Sequence, residues 1–208
     1  MLPLYISIVG STCLLVIAFL YGSSKNRVIK KKETILYLRY LGFILTIEIT
    51  RKLTIHIFNI PIGYFLYVLY VTGEFYLLFN LFHKALEIPQ KWRVGTAILA
   101  GCFFAETATL WLFFDKPYMG YSKVISHVLI SIATGVILVK YLKEVETDDP
   151  FWIIYASLFL YYITSLLLFM FLEQITEKNV AIWAINNLLS CILYGNSIYV
   201  FYSLKHAR

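Results

Sequence analysis

FWIIYASLFLYYITSLLLFMFL, residues 151–172, carries no charged side chain from end to end. At a helical rise of 1.5 Å per residue such a stretch is roughly 33 Å long, the thickness of a bilayer's hydrocarbon core. Outward from it in both directions lie similar apolar runs, at about 4–21, 34–58, 63–82, 94–114, 124–142 and 180–204. Hydrocarbon offers the backbone no hydrogen-bond partner, so only helices or closed barrels can cross it. Barrel strands alternate polar and apolar residues, and these runs do not. The sequence therefore predicts an all-α polytopic membrane protein, a single domain over 1–208 built as a bundle of seven transmembrane helices.

Composition agrees. The chain is 60% hydrophobic and 14% charged, with a mean hydropathy of +0.75, whereas soluble domains carry about 25% charged residues. A soluble globule of 208 residues has too little interior to hide so much apolar side chain. The net charge of +6 does not indicate nucleic-acid binding, because the basic residues gather in short loops between apolar runs and no soluble domain presents them. Pro3, Pro61, Pro89, Pro117 and Pro150 all fall at the edges of runs, where a missing amide does no harm to a helix. The proline- or glycine-broken helices that many transporters use are not in evidence. No basic segment precedes the first run, so it reads as a retained span and not a cleaved leader.

Assigning loops alternately to the two sides puts Lys25, Arg27, Lys30, Lys31, Lys32, Lys84, Lys91, Arg93, Lys140, Lys143, Lys205 and Arg208 on one face. Arg51, Lys52, Lys116, Lys123 and Lys178 fall on the other. Positive loops stay cytoplasmic, which predicts an outside N-terminus and a cytoplasmic C-terminus. Arg39 reads as a snorkelled anchor.

Charges at membrane depth are costly and mark candidate sites. Glu48 and Glu74 lie roughly 16 Å and Glu106 roughly 12 Å from the predicted outer ends of the second, third and fourth runs. Arg51 and Lys52 stand three and four residues after Glu48, where helical neighbours meet, and are candidate ion-pair partners for it. Glu74 and Glu106 have no such local partner, so they are either protonated or paired across helices. His127, Asn186 and Asn187 lie in the outer half of later runs. Closed against the glutamates, they would line one outward-facing polar cavity. A lone imidazole does not define a metal site, and Cys13, Cys102 and Cys191 occupy separate runs, reading as packing residues. No metal or cofactor is expected. Ala97, Gly101 and Ala105 form a small-residue stripe read as a packing face.

Several functions lack their residues. The last run has no lysine for a retinal Schiff base, and one histidine inside a span cannot assemble a zinc amidase of the ceramidase kind. Pro89-Gln90 falls in a charged loop, unlike the helical dipeptide of PQ-loop sugar transporters. No P-loop, nucleophile elbow or dinucleotide fingerprint is present, and the chain does not read as an enzyme.

Glu48, Glu74-Phe75-Tyr76, Pro150-Phe151-Trp152-Ile153 with Tyr161-Tyr162, and Asn186-Asn187 together resemble a loosely defined group of small bacterial seven-span proteins, often encoded beside sensor histidine kinases. The resemblance implies a bacterial inner-membrane location and a sensory role with a kinase or other membrane partner. On this reading the chain is a receptor-like module that senses a small ligand, ion or proton in the polar cavity and acts through a cytoplasmic partner. The alternatives are a small transporter or channel using the intramembrane glutamates, and a structural membrane subunit.

Overall fold

A computed structural model of the chain describes residues 2–29, 31–56, 63–143, 149–170 and 181–206. Pro61, Lys30, Lys178, Arg208 and the sequence-read span ends at 57–58, 171–172 and 180 lie outside them. The described residues form seven α-helices: α1 Leu2–Ile29, α2 Lys32–His56, α3 Gly63–Ala85, α4 Lys91–Phe114, α5 Ser122–Lys143, α6 Trp152–Met170 and α7 Ala181–His206. A 3₁₀ turn, Pro117–Met119, joins α4 to α5.

Seven helices are present, but among the described residues only five contain a stretch long and apolar enough to cross a membrane: Ile6–Lys25, Gly63–Ala85, Lys91–Phe114, Ser122–Lys143 and Trp152–Phe169. This corrects the seven-span expectation. In α2 the charges of Lys32, Glu33, Arg39, Glu48, Arg51 and Lys52 are distributed so that no membrane-length stretch escapes them. In α7, Asn186, Asn187 and Asn196 with Ser190 and Ser197 dilute the apolar residues. Helix length was legible, but length alone does not make a span when polar side chains must be desolvated. The assignment of individual loops to one face or the other falls with the two spans, since it rested on strict alternation of seven. The protein is helical and crosses the membrane more than once.

Several hydroxyls inside these apolar helices are satisfied locally. Thr12, Thr72, Thr107 and Ser157 each donate to the carbonyl four residues back, at 2.7–3.0 Å. That bond spares a hydroxyl the cost of facing hydrocarbon alone.

The chain divides into two compact units, residues 1–34 with 127–208, and residues 35–126. In the first, α7 packs on α1 and α6. Asn196 Nδ2 donates to Ser157 Oγ at 2.8 Å, and Asn187 Nδ2 to Ser7 Oγ at 3.3 Å. These are the interhelical amide bonds that membrane proteins commonly use.

In the second unit α3 and α4 form an antiparallel hairpin across a short turn, in which the amide of Ile88 bonds the His83 carbonyl at 3.0 Å. Phe103 of α4 meets Phe75 of α3 edge-on, with centroids 4.9 Å apart. The buried stripe of α4 is Thr96, Ala100, Phe103 and Thr107, a helical period. Ala97, Gly101 and Ala105 instead face outward, and a Cβ on Gly101 would meet nothing within 4 Å. Small residues permit close approach without requiring it. Trp92, Val94, Ile98, Leu112, Phe113 and Phe114 are exposed on α4, a surface suited to lipid contact. Cys13 and Cys102 are likewise exposed and Cys191 half-buried, so two of the three cysteines are not the packing residues expected.

Candidate functional site

The site grows from how α4 ends. Asp115 takes the left-handed conformation (φ 53°), and the amides of Asp115 and Lys116 bond back to Trp111 and Leu110 at 3.1 and 3.3 Å. This closes the helix and reverses the chain. The 3₁₀ turn, with Pro117 buried, then packs on α3 and α4. Gly120 follows, and α5 begins at Ser122.

The start of α5 lies alongside Glu106, which sits eight residues before the end of α4, roughly 12 Å along its axis. Glu106 Oε1 accepts from the Tyr121 amide at 2.9 Å, and Oε2 from the Ser122 amide at 2.9 Å and from the Ser122 hydroxyl. The first amides of a helix have no partner within it, and the dipole favours an anion there. Here a neighbouring helix supplies that anion. Gly120 makes room for it: a Cβ at that position would come within 3.0 Å of Glu106 Oε1 and 2.7 Å of Leu110 Cδ1.

The next residue, Lys123, reaches α3. Its Nζ donates to Glu74 Oε2 at 2.7 Å, and the Tyr70 hydroxyl donates to Glu74 Oε1 at 2.6 Å. The ammonium also lies 4.1 Å from the centroid of the Tyr70 ring. Glu74 is 0% and Lys123 4% exposed. Taking two ions out of water costs several kcal/mol each, and only close, hydrogen-bonded geometry offsets it. Direct contact with the carboxylate and a position over the aromatic face provide that geometry. Successive residues of the first turn of α5 are thus each held by a carboxylate, Ser122 from α4 and Lys123 from α3.

The other sequence-predicted residues are placed as follows. Glu48 accepts from Arg51 Nη2 at 3.0 Å, with the arginine side chain 47% exposed; Lys52 is half-buried one residue on. Glu48, Glu74 and Glu106 belong to one unit, and His127, Asn186 and Asn187 to the other. His127 is buried and edge-on to Tyr162 and Phe169, at 4.9 and 5.7 Å between centroids. Asn186 is half-buried. Among the described residues no three His, Cys, Asp or Glu side chains gather to hold a metal ion.

Lys123 and Tyr70 were not singled out from sequence. Lys123 stands one residue ahead of the apolar run at 124 and reads as a loop charge. Tyr70 lies four residues before Glu74, the one spacing that pointed to it.

A second ionic group stands in the other unit. Lys31 Nζ contacts Glu33 Oε2 at 2.9 Å and Asp149 Oδ2, while Asp149 also accepts from the Tyr141 hydroxyl at 3.2 Å and the Phe151 amide at 3.2 Å. Burial works against the charge on Lys31, but Asp149 and Glu33 outweigh it and hold the ammonium above the usual lysine value. Asp149 thereby ties the residues before α6 to those before α2. No protein-family model, curated protein or solved structure matches the chain.

Proposed function

We propose that the protein is a small transporter or channel in which Glu74, paired with Lys123, handles a proton or small cation on its way across the membrane. The observation that carries this reading is the Glu74–Lys123 contact of 2.7 Å, nearly shielded from solvent and formed between two apolar helices that are long enough to span. Purely structural membrane helices rarely bear such a cost, and intramembrane ionisable pairs commonly mark ion and proton routes.

The chemistry follows from the charges. A proton or cation arriving at Glu74 cancels its hold on Lys123 and leaves the ammonium without its counter-ion in an apolar interior, a penalty of about 3–5 kcal/mol. That penalty favours any arrangement in which the first turn of α5 moves toward water. A proton on Glu106 would likewise weaken its acceptance of the Tyr121 and Ser122 amides. An arriving charge thus biases one element between two positions, which is what coupling requires.

The test is flux. Purified protein reconstituted into liposomes around a pH-sensitive dye should dissipate an imposed proton or cation gradient, and Glu74→Gln should abolish this. Gradient decay no faster than in empty liposomes would refute the reading. The receptor-like role implied by the sequence resemblance predicts instead a sensor kinase that co-purifies and no flux, and the assignment to a bacterial inner membrane rests on that resemblance.

A further inference from the structure

We infer that the cage formed by Glu74 and Tyr70 is a recognition site for a primary alkylammonium, and that Lys123 is its tethered occupant. This rests on the transport reading for its role, though the site can be tested without it. A carboxylate oxygen 2.7 Å from the nitrogen and an aromatic face 4.1 Å from it are two elements that recognise organic ammonium groups. The Tyr70 hydroxyl, bonded to the other carboxylate oxygen at 2.6 Å, fixes the carboxylate and leaves Oε2 aimed at the cation.

The fit is selective. The contact is a direct N–H···O bond, so the ligand must keep hydrogens on nitrogen, which a quaternary ammonium lacks. An inorganic cation would have its charge met by Glu74, but it would leave unfilled the slot that the apolar stem of Lys123 occupies. The stem enters from the first turn of α5, so movement of that turn withdraws the tethered ammonium and vacates a site already shaped for a free one. A substrate amine and Lys123 would therefore exclude each other, an arrangement that keeps the buried carboxylate paired in either state.

Truncating Lys123 to alanine removes three carbons and the ammonium, the outline of propylammonium. Thermal unfolding of detergent-solubilised Lys123→Ala is measured with propylammonium, with 1-propanol, with tetramethylammonium and with no addition. Propylammonium at saturation should raise the midpoint by about 3 °C or more, with no comparable rise from the other two. Adding Glu74→Gln should remove the response, and adding Tyr70→Leu should weaken apparent affinity by about tenfold. If Lys123→Ala does not survive extraction, the yield of monodisperse protein extracted in each of the four conditions gives the same comparison. Equal effects of propylammonium and propanol, or an undiminished response in the Glu74→Gln background, would overturn the inference. Liposome uptake of labelled propylammonium by the unmodified protein separates the two ideas. Rescue without uptake or any ion flux upholds the ammonium site and refutes transport, whereas flux without rescue upholds transport and refutes the site.

Discussion

Stripping the charge from Lys123 while Glu74 stays in place leaves a carboxylate without its counter-ion in an apolar interior. Lys123→Met should therefore lower stability by about 3–5 kcal/mol, while the double variant with Glu74→Gln should lose far less than the two singles summed. Unfolding of the four proteins in one detergent measures this, and simple additivity would show that the pair is not coupled. A separate prediction concerns the cap. Gly120→Ala thrusts a methyl against Leu110 and a carboxylate pinned by the Tyr121 and Ser122 amides, and should cost about 1–3 kcal/mol in the same assay. Glu74 and Glu106 stand out in the sequence because a charge inside an apolar run is conspicuous. Lys123 does not, since its importance arises from the turn at 115–121, which folds the start of α5 back beside Glu106. Nothing in local sequence reports that return.

At the scale of elements, the approach of α2 to α3 depends on a glycine. A Cβ on Gly73 would lie 2.3 Å from Phe43 Cζ, and the whole edge of that ring rests against it. Gly73→Ala gains helix propensity, yet should still destabilise by about 1–3 kcal/mol, and Phe43→Leu in the same chain should restore most of the loss. A destabilisation unchanged by Phe43→Leu would mean that the ring is not what Gly73 accommodates. The Lys31 group yields a pH dependence. Because Asp149 and Glu33 hold the folded-state value above the ordinary 10.5, its contribution is complete below pH 10.5 and fades as pH rises through the raised value. Lys31→Met should thus cost about 1 kcal/mol at neutral pH, since the group is partly solvated, and should flatten the alkaline end of the stability profile. The helices themselves were legible from apolar run length. The inward face of α4 was not, because bulky residues lie all round that helix and Phe103 packs on Phe75 across the hairpin while Phe104 beside it stays exposed.

At the scale of the whole molecule, hydropathy established a membrane protein but overstated the number of crossings. The charges along α2 and the amides and hydroxyls of α7 interrupt runs whose length alone reads as a span, and length does not count what each buried polar group costs. Leu53, exposed on α2 among Arg51 and Lys52, offers a check. With Cys13, Cys102 and Cys191 replaced by serine, Leu53→Cys should react with a membrane-impermeant maleimide, and complete protection would return α2 to the bilayer. The central claim is that charge crosses by way of Glu74 and not by any acidic residue that happens to lie in a helix. Gradient dissipation in liposomes bearing Glu48→Gln or Glu74→Gln compares a half-buried, locally paired carboxylate with the fully buried one at equal protein density. The account predicts flux close to that of the unmodified protein for Glu48→Gln and at least a tenfold loss for Glu74→Gln. Undiminished flux through the Glu74→Gln protein would contradict it.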